Sequence, residues 1–74
     1  MPDVTVKDAK INGYYIFLDI RQHYNSFIYK VAMCPLHDEF FAGYPEYEMT
    51  YPLSKKRNAY ATYNRYCRKA KERS

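Results

Sequence analysis

Seventy-four residues suffice for one domain (1–74) with one small core, near the lower limit for a fold without disulfide or metal staples. Aromatics make up 19% of the chain, ten of them Tyr and none Trp, which argues against disorder because a Tyr ring buries while its hydroxyl stays wet. Net charge is +4, unevenly spread: Met1 to Leu53 carries four basic residues against seven acidic (−3), whereas Ser54 to Ser74 carries eight basic residues against Glu72 alone (+7).

The longest unbroken apolar run, Tyr14 to Leu18, is far too short for a bilayer, and no N-terminal stretch reads as a signal peptide. A soluble cytoplasmic protein with no membrane partner is expected. Cys34 and Cys67 make no spaced framework of the kind that staples a secreted scaffold.

Val4 to Ile11 is the weakest strand pattern. Val4 and Val6 share one face, Ala9 and Ile11 the other, so a bulge or break is expected at Lys7–Asp8. Asn12-Gly13 is the pair that best tolerates positive φ at both centres of a tight hairpin turn. Tyr14 to Arg21 is the strongest strand, with Tyr14, Ile16, Leu18 and Ile20 on one face and Tyr15, Phe17, Asp19 and Arg21 on the other. After a polar turn over Gln22–Ser26, Phe27 to Cys34 alternates again. Phe27, Tyr29, Val31 and Met33 are expected inward, and Ile28, Lys30, Ala32 and Cys34 outward. Pro35 ends that strand for want of an amide to donate. Leu36 to Glu46 reads as a loop, long for so small a domain, and Tyr47 to Tyr51 as a last strand with Tyr47, Met49 and Tyr51 on one face.

From Leu53 to Ser74 the apolar period becomes helical. Ala59, Tyr60, Tyr63, Tyr66, Cys67 and Ala70 fall in one arc, while Arg57, Asn58, Thr62, Asn64, Arg65, Arg68, Lys69 and Lys71 fall in the opposite one. Ser54, after Pro52, is the expected N-cap. The sum is an α+β fold: three or four antiparallel strands with one C-terminal helix packed on one face.

Lys55, Lys56, Arg57, Arg65, Arg68 and Lys69 are candidate contacts to the phosphate backbone of a nucleic acid, which they would bind by neutralising charge without reading sequence. The plainer reading is a solvated face whose cations complement the negative end of the helix dipole, as Lys71 and Arg73 are placed to do. That reading does not account for Lys55–Arg57, because the start of a helix is already positive. The conflict favours a polyanionic ligand. Strands followed by a turn and Ser54-Lys55-Lys56 leading into Ala59 also resemble the second half of a double-stranded-RNA-binding domain. The resemblance implies that Lys55 and Lys56 hold phosphates across a groove. It covers only those few positions; the family's leading helix has no counterpart, and Thr50, Tyr51 and Pro52 stand where the family carries glycines.

Tyr15 and Phe17 form a second candidate surface on the outer sheet face. They could stack unpaired bases, or meet another protein or a second copy of this chain as a homodimer. The plainer reading folds a loop over them through Phe40 and Phe41, and that or a dimer is favoured over base stacking because Asp19 beside Phe17 repels phosphate. His23, Cys34, His37 and Cys67 match no zinc spacing, two glycines build no phosphate cradle, and a Cys34–His37 pair lacks an orienting third group. No catalysis, metal or cofactor is expected. The expected function is a small non-catalytic nucleic-acid-binding protein. The alternative is a protein-interaction module, like small regulatory or phage-type inhibitor proteins, that sets the basic helix on an acidic protein surface or Tyr15/Phe17 on an apolar one.

Overall fold

Four strands form where apolar and polar residues alternate: β1 (Val4–Ile11), β2 (Tyr14–His23), β3 (Ser26–Pro35) and β4 (Tyr47–Pro52). A 3-10 turn over Leu53–Lys55 leads into one helix, α1 (Lys56–Glu72). The computed structural model describes residues 3–37 and 42–73. The sheet is an antiparallel meander in the order β1-β2-β3-β4, and α1 packs across one face, an α+β fold.

Asn12 (φ 49) and Gly13 (φ 82) make the tight turn between β1 and β2 that their sequence demands. A Cβ on Gly13 would meet nothing within 4 Å, so backbone conformation alone calls for glycine there. The pairing shift in β1 lies between Thr5 and Lys7, at Val6, rather than at Lys7–Asp8. It puts Lys7 opposite Leu18 and Ala9 opposite Ile16, on the face that carries the helix, while Val6 also packs against the core. The β2–β3 turn is shorter than the expected Gln22–Ser26. His23 pairs with Ser26, leaving only Tyr24 and Asn25 in the turn, with Tyr24 at φ 55.

Three rows cross the helix-facing side of the sheet: Ala9–Ile16–Met33–Tyr47, Lys7–Leu18–Val31–Met49 and Val4–Ile20–Tyr29–Tyr51. Ile16, Leu18, Val31 and Met33 at their centres are fully buried. Each such side chain stabilises the fold by about 1.5–3 kcal/mol, large against the total for a small domain. From α1, Ala59 and Ala70 bring the helix backbone close to the sheet, and Tyr63 and Tyr66 fill the space between them. The outer members of the rows are less covered. Met49 remains 43% exposed at the β4 edge, and Phe27, expected inward, is 38% exposed because its position in β3 lies beyond the start of the helix.

Two expectations for α1 are corrected. Ser54 does not cap it: the chain leaves Pro52 into the 3-10 turn, Ser54 falls inside that turn, and α1 opens at Lys56 with no side-chain cap. Thr62, expected on the polar arc, is 3% exposed, because its hydroxyl pairs with that of Tyr51 at 2.6 Å and can enter the interface satisfied. The segment after Pro35 continues the hairpin instead of leaving it. Leu36 bridges Ala42, the Gly43 amide donates to the Pro35 carbonyl, and the Glu46 amide donates to that of Met33. Phe40 and Phe41, with Asp38 and Glu39, lie outside the described residues.

Candidate nucleic-acid interface

The outer ridge of α1 is set by what its inner ridge buries. Ala59, Tyr63, Tyr66 and Ala70 face the sheet, so at 3.6 residues per turn Arg57, Ala61, Asn64 and Arg68 form the crest pointing away from it. Arg57 and Arg68 are exposed there, about 16 Å apart along the axis at 1.5 Å per residue. Arg65 is exposed on the flank towards β4, with its guanidinium 5.8 Å from the Tyr66 ring centre. Lys55 is exposed in the 3-10 turn and Lys56 opens the helix. Lys69 differs from the other five. It is half-buried, with its ammonium 5.1 Å from the centre of the Tyr47 ring.

Cations and tyrosines line both sides of the helix. On the β1 side, the bulge at Val6 brings Lys7 to 5.3 Å from the Tyr63 ring and 5.8 Å from Tyr60, and Lys56 lies 5.6 Å from Tyr60. Lys7 therefore joins the basic surface. The sequence places Lys7 in the acidic part of the chain, and the slip in alternation at Lys7–Asp8 does not show that the bulge falls at Val6 and turns Lys7 towards the helix. On the β4 side Arg73 closes the far end of the helix. It donates to the Tyr14 hydroxyl (3.0 Å), to the Tyr47 hydroxyl (3.2 Å) and to the Glu46 carboxylate. The bonds to Tyr14 and Glu46 hold its guanidinium pKa above the ordinary value. Arg73 is thereby committed to the fold.

Charge pairing divides the molecule. Among the described residues the ion pairs are Arg21 with Asp3 and Asp19, Lys30 with Glu48, and Arg73 with Glu46. None involves Lys55, Lys56, Arg57, Arg65, Arg68 or Lys69. Asp8, Asp19 and Glu48 on the sheet are engaged by Tyr15, Arg21 and Lys30, and among the described residues no carboxylate pairs with these six cations.

Tyr15 and Phe17 lie on the outer sheet face, as their alternation predicts. The two rings lie 5.7 Å apart and both are half-buried. The Tyr15 hydroxyl donates to Asp8 Oδ2 at 2.9 Å, and the Arg21 guanidinium lies 5.4 Å from the Phe17 ring while binding Asp19 Oδ2 at 3.0 Å. Desolvation, reinforced by the Asp8 bond, pushes the Tyr15 hydroxyl up to about 12. Small neighbours between these taller groups become buried although they point outward. Ala32 sits between Phe17 and Glu48, Cys34 sits opposite Tyr15, and Asp19 is 7% exposed.

Burial also pushes the Cys34 thiol up, away from the thiolate that a nucleophile needs, while its drawn partner His37 is exposed. Among the described residues no three His, Cys, Asp or Glu side chains converge as metal ligands, and no helix is long and apolar enough to cross a membrane. No family model, curated protein or solved structure matches this chain.

Proposed function

We propose that this protein binds nucleic acid through its phosphate backbone, without catalysis, using the exposed face of α1. Arg57 and Arg68 on the crest, Arg65 on the flank and Lys55 and Lys56 at the helix start make the principal contacts. Lys69, and Lys7 across the seam, add charge at the margins. The observation that carries this reading is the contrast in pairing among the described residues: Arg21 and Lys30 of the sheet are matched by carboxylates, whereas no carboxylate pairs with the five principal cations, with Lys69 or with Lys7. An unmatched row of cations repels itself and gains most from a ligand of dense negative charge.

The test is fluorescence anisotropy with labelled oligonucleotides at low salt, comparing the native chain with an Arg57→Glu/Arg65→Glu/Arg68→Glu variant. These side chains are exposed, so the variant retains the fold. The native chain should bind, and the variant should lose at least about a hundredfold in affinity. Equal binding by the two proteins, or none by the native chain, contradicts the proposal.

A further inference from the structure

At one end of the molecule the β2–β3 hairpin runs past its neighbour. β4 ends at Pro52 opposite Ile28, whereas the hairpin continues through the pairs Gln22–Phe27 and His23–Ser26 to the turn at Tyr24 and Asn25. That overhang is about 10 Å at the rise of a strand. The chain turns directly from Pro52 into Leu53–Lys55, which packs against β3, so Lys55, Lys56 and Arg57 begin where the overhang leaves the body.

The overhang is aromatic. Tyr24 is 86% exposed, Phe27 is 38% exposed on the helix-facing side, and His23 stands edge-on to Tyr24 with ring centres 4.6 Å apart. Tyr24 takes its place at φ 55, a conformation a bulky side chain adopts at a cost. The carboxylates nearest this end by register, Asp3 and Asp19, are both held by Arg21. Among the described residues, this end therefore combines exposed rings with cations that no carboxylate pairs.

We infer that this end receives unpaired bases, so that the nucleic acid this protein prefers is single-stranded. The inference rests on the phosphate-binding reading of α1 and adds the form of the ligand. Tyr24 and Phe27 supply ring faces for bases, and Lys55, Lys56 and Arg57 supply charge for the phosphates that join them. In a duplex the bases are stacked on one another, and rings at this tip gain nothing from them. In a single strand every base has a free face, and each base stacked on an aromatic ring adds roughly five- to 150-fold to affinity.

The experiment measures anisotropy of one mixed-sequence oligonucleotide, as a single strand and annealed to its complement, against the native chain and a Tyr24→Ala/Phe27→Ala variant across a salt series. Tyr24→Ala alone serves as the second variant, because Tyr24 is almost fully exposed. The native chain should bind the single strand about tenfold or more tighter than the duplex. The double variant should lose that preference and Tyr24→Ala should lose part of it, both keeping duplex affinity and the steepness of the salt dependence. Equal or tighter binding of the duplex, an unchanged preference in the variants, or an equal loss on both forms overturns the single-strand inference and leaves phosphate binding by α1 standing. Absence of binding to either form at low salt removes both.

Discussion

At the scale of single residues, tyrosine hydroxyls join elements that ring burial alone would leave loosely placed. Tyr51 meets Thr62 across the β4–α1 contact, and Tyr15 meets Asp8 across the outer face. Replacing Tyr51 by Phe strands the buried Thr62 hydroxyl, and should lower stability by about 1–3 kcal/mol in urea denaturation. Thr62→Val together with Tyr51→Phe removes both partners and should cost less than the single change. Two tyrosine hydroxyls, those of Tyr15 and Tyr63, set an alkaline limit. Desolvation first, then Asp8 for Tyr15 and Cys67 for Tyr63, raises these two from 10 to about 12 in the folded chain. The unfolded chain then releases its protons first, so the stabilisation is whole below pH 10 and is lost as pH rises towards 12. Ultraviolet titration of tyrosinate should show a late-ionising class that coincides with loss of the circular dichroism of the fold. Tyr15→Phe should shrink that class.

At the scale of elements, the β1–β2 turn also finishes the helix. Asn12 Nδ2 donates to the carbonyls of Ala70 (3.0 Å) and Lys71 (3.2 Å), satisfying acceptors that the end of a helix leaves open. Two substitutions separate its roles. Asn12→Gly keeps the positive φ and loses the cap, and should cost about 0.5–1.5 kcal/mol by thermal or urea unfolding. Asn12→Ala loses the cap and also strains the turn, adding about 1–2 kcal/mol. The turn itself is legible in the sequence, as are the inward set of β2 and the tyrosine stripe of α1, because period and turn chemistry are local. The cap is not legible, since it joins residues 58 apart. The exact place of the β1 bulge, at Val6 rather than at the Lys7–Asp8 slip in the pattern, the displacement of Ser54 into a 3-10 turn and the inward Thr62 are hidden for a related reason. Each depends on what lies opposite in the fold: Leu18 for Lys7, β3 for the chain after Pro52, and Tyr51 for Thr62.

At the scale of the whole molecule, charge is sorted by layer. Arg21 and Lys30 are paired with acids on or beside the sheet, Arg73 is tied back to Glu46, and Lys7 of β1 joins the cations that α1 presents to solvent. Of the six cations marked from sequence, five lie open and Lys69 rests on Tyr47, so reversal of Lys69 should differ in kind from reversal of Arg68. Lys69→Glu should cost some stability, of the order of 1 kcal/mol, along with binding. Arg68→Glu should cost binding and leave the unfolding midpoint within the range of an ordinary surface change, about 0.5 kcal/mol. Urea unfolding alongside anisotropy distinguishes the two.

The salt dependence of oligonucleotide affinity addresses the role of α1 most directly. Release of counterions from about five phosphates, one for each principal cation, should give a slope of log K against log salt between about −3.5 for a single strand and −4.5 for a duplex. The slope should flatten when Arg57, Arg65 and Arg68 are reversed. A native chain whose affinity does not change with salt, or that binds no nucleic acid at low salt, would contradict phosphate recognition by this helix.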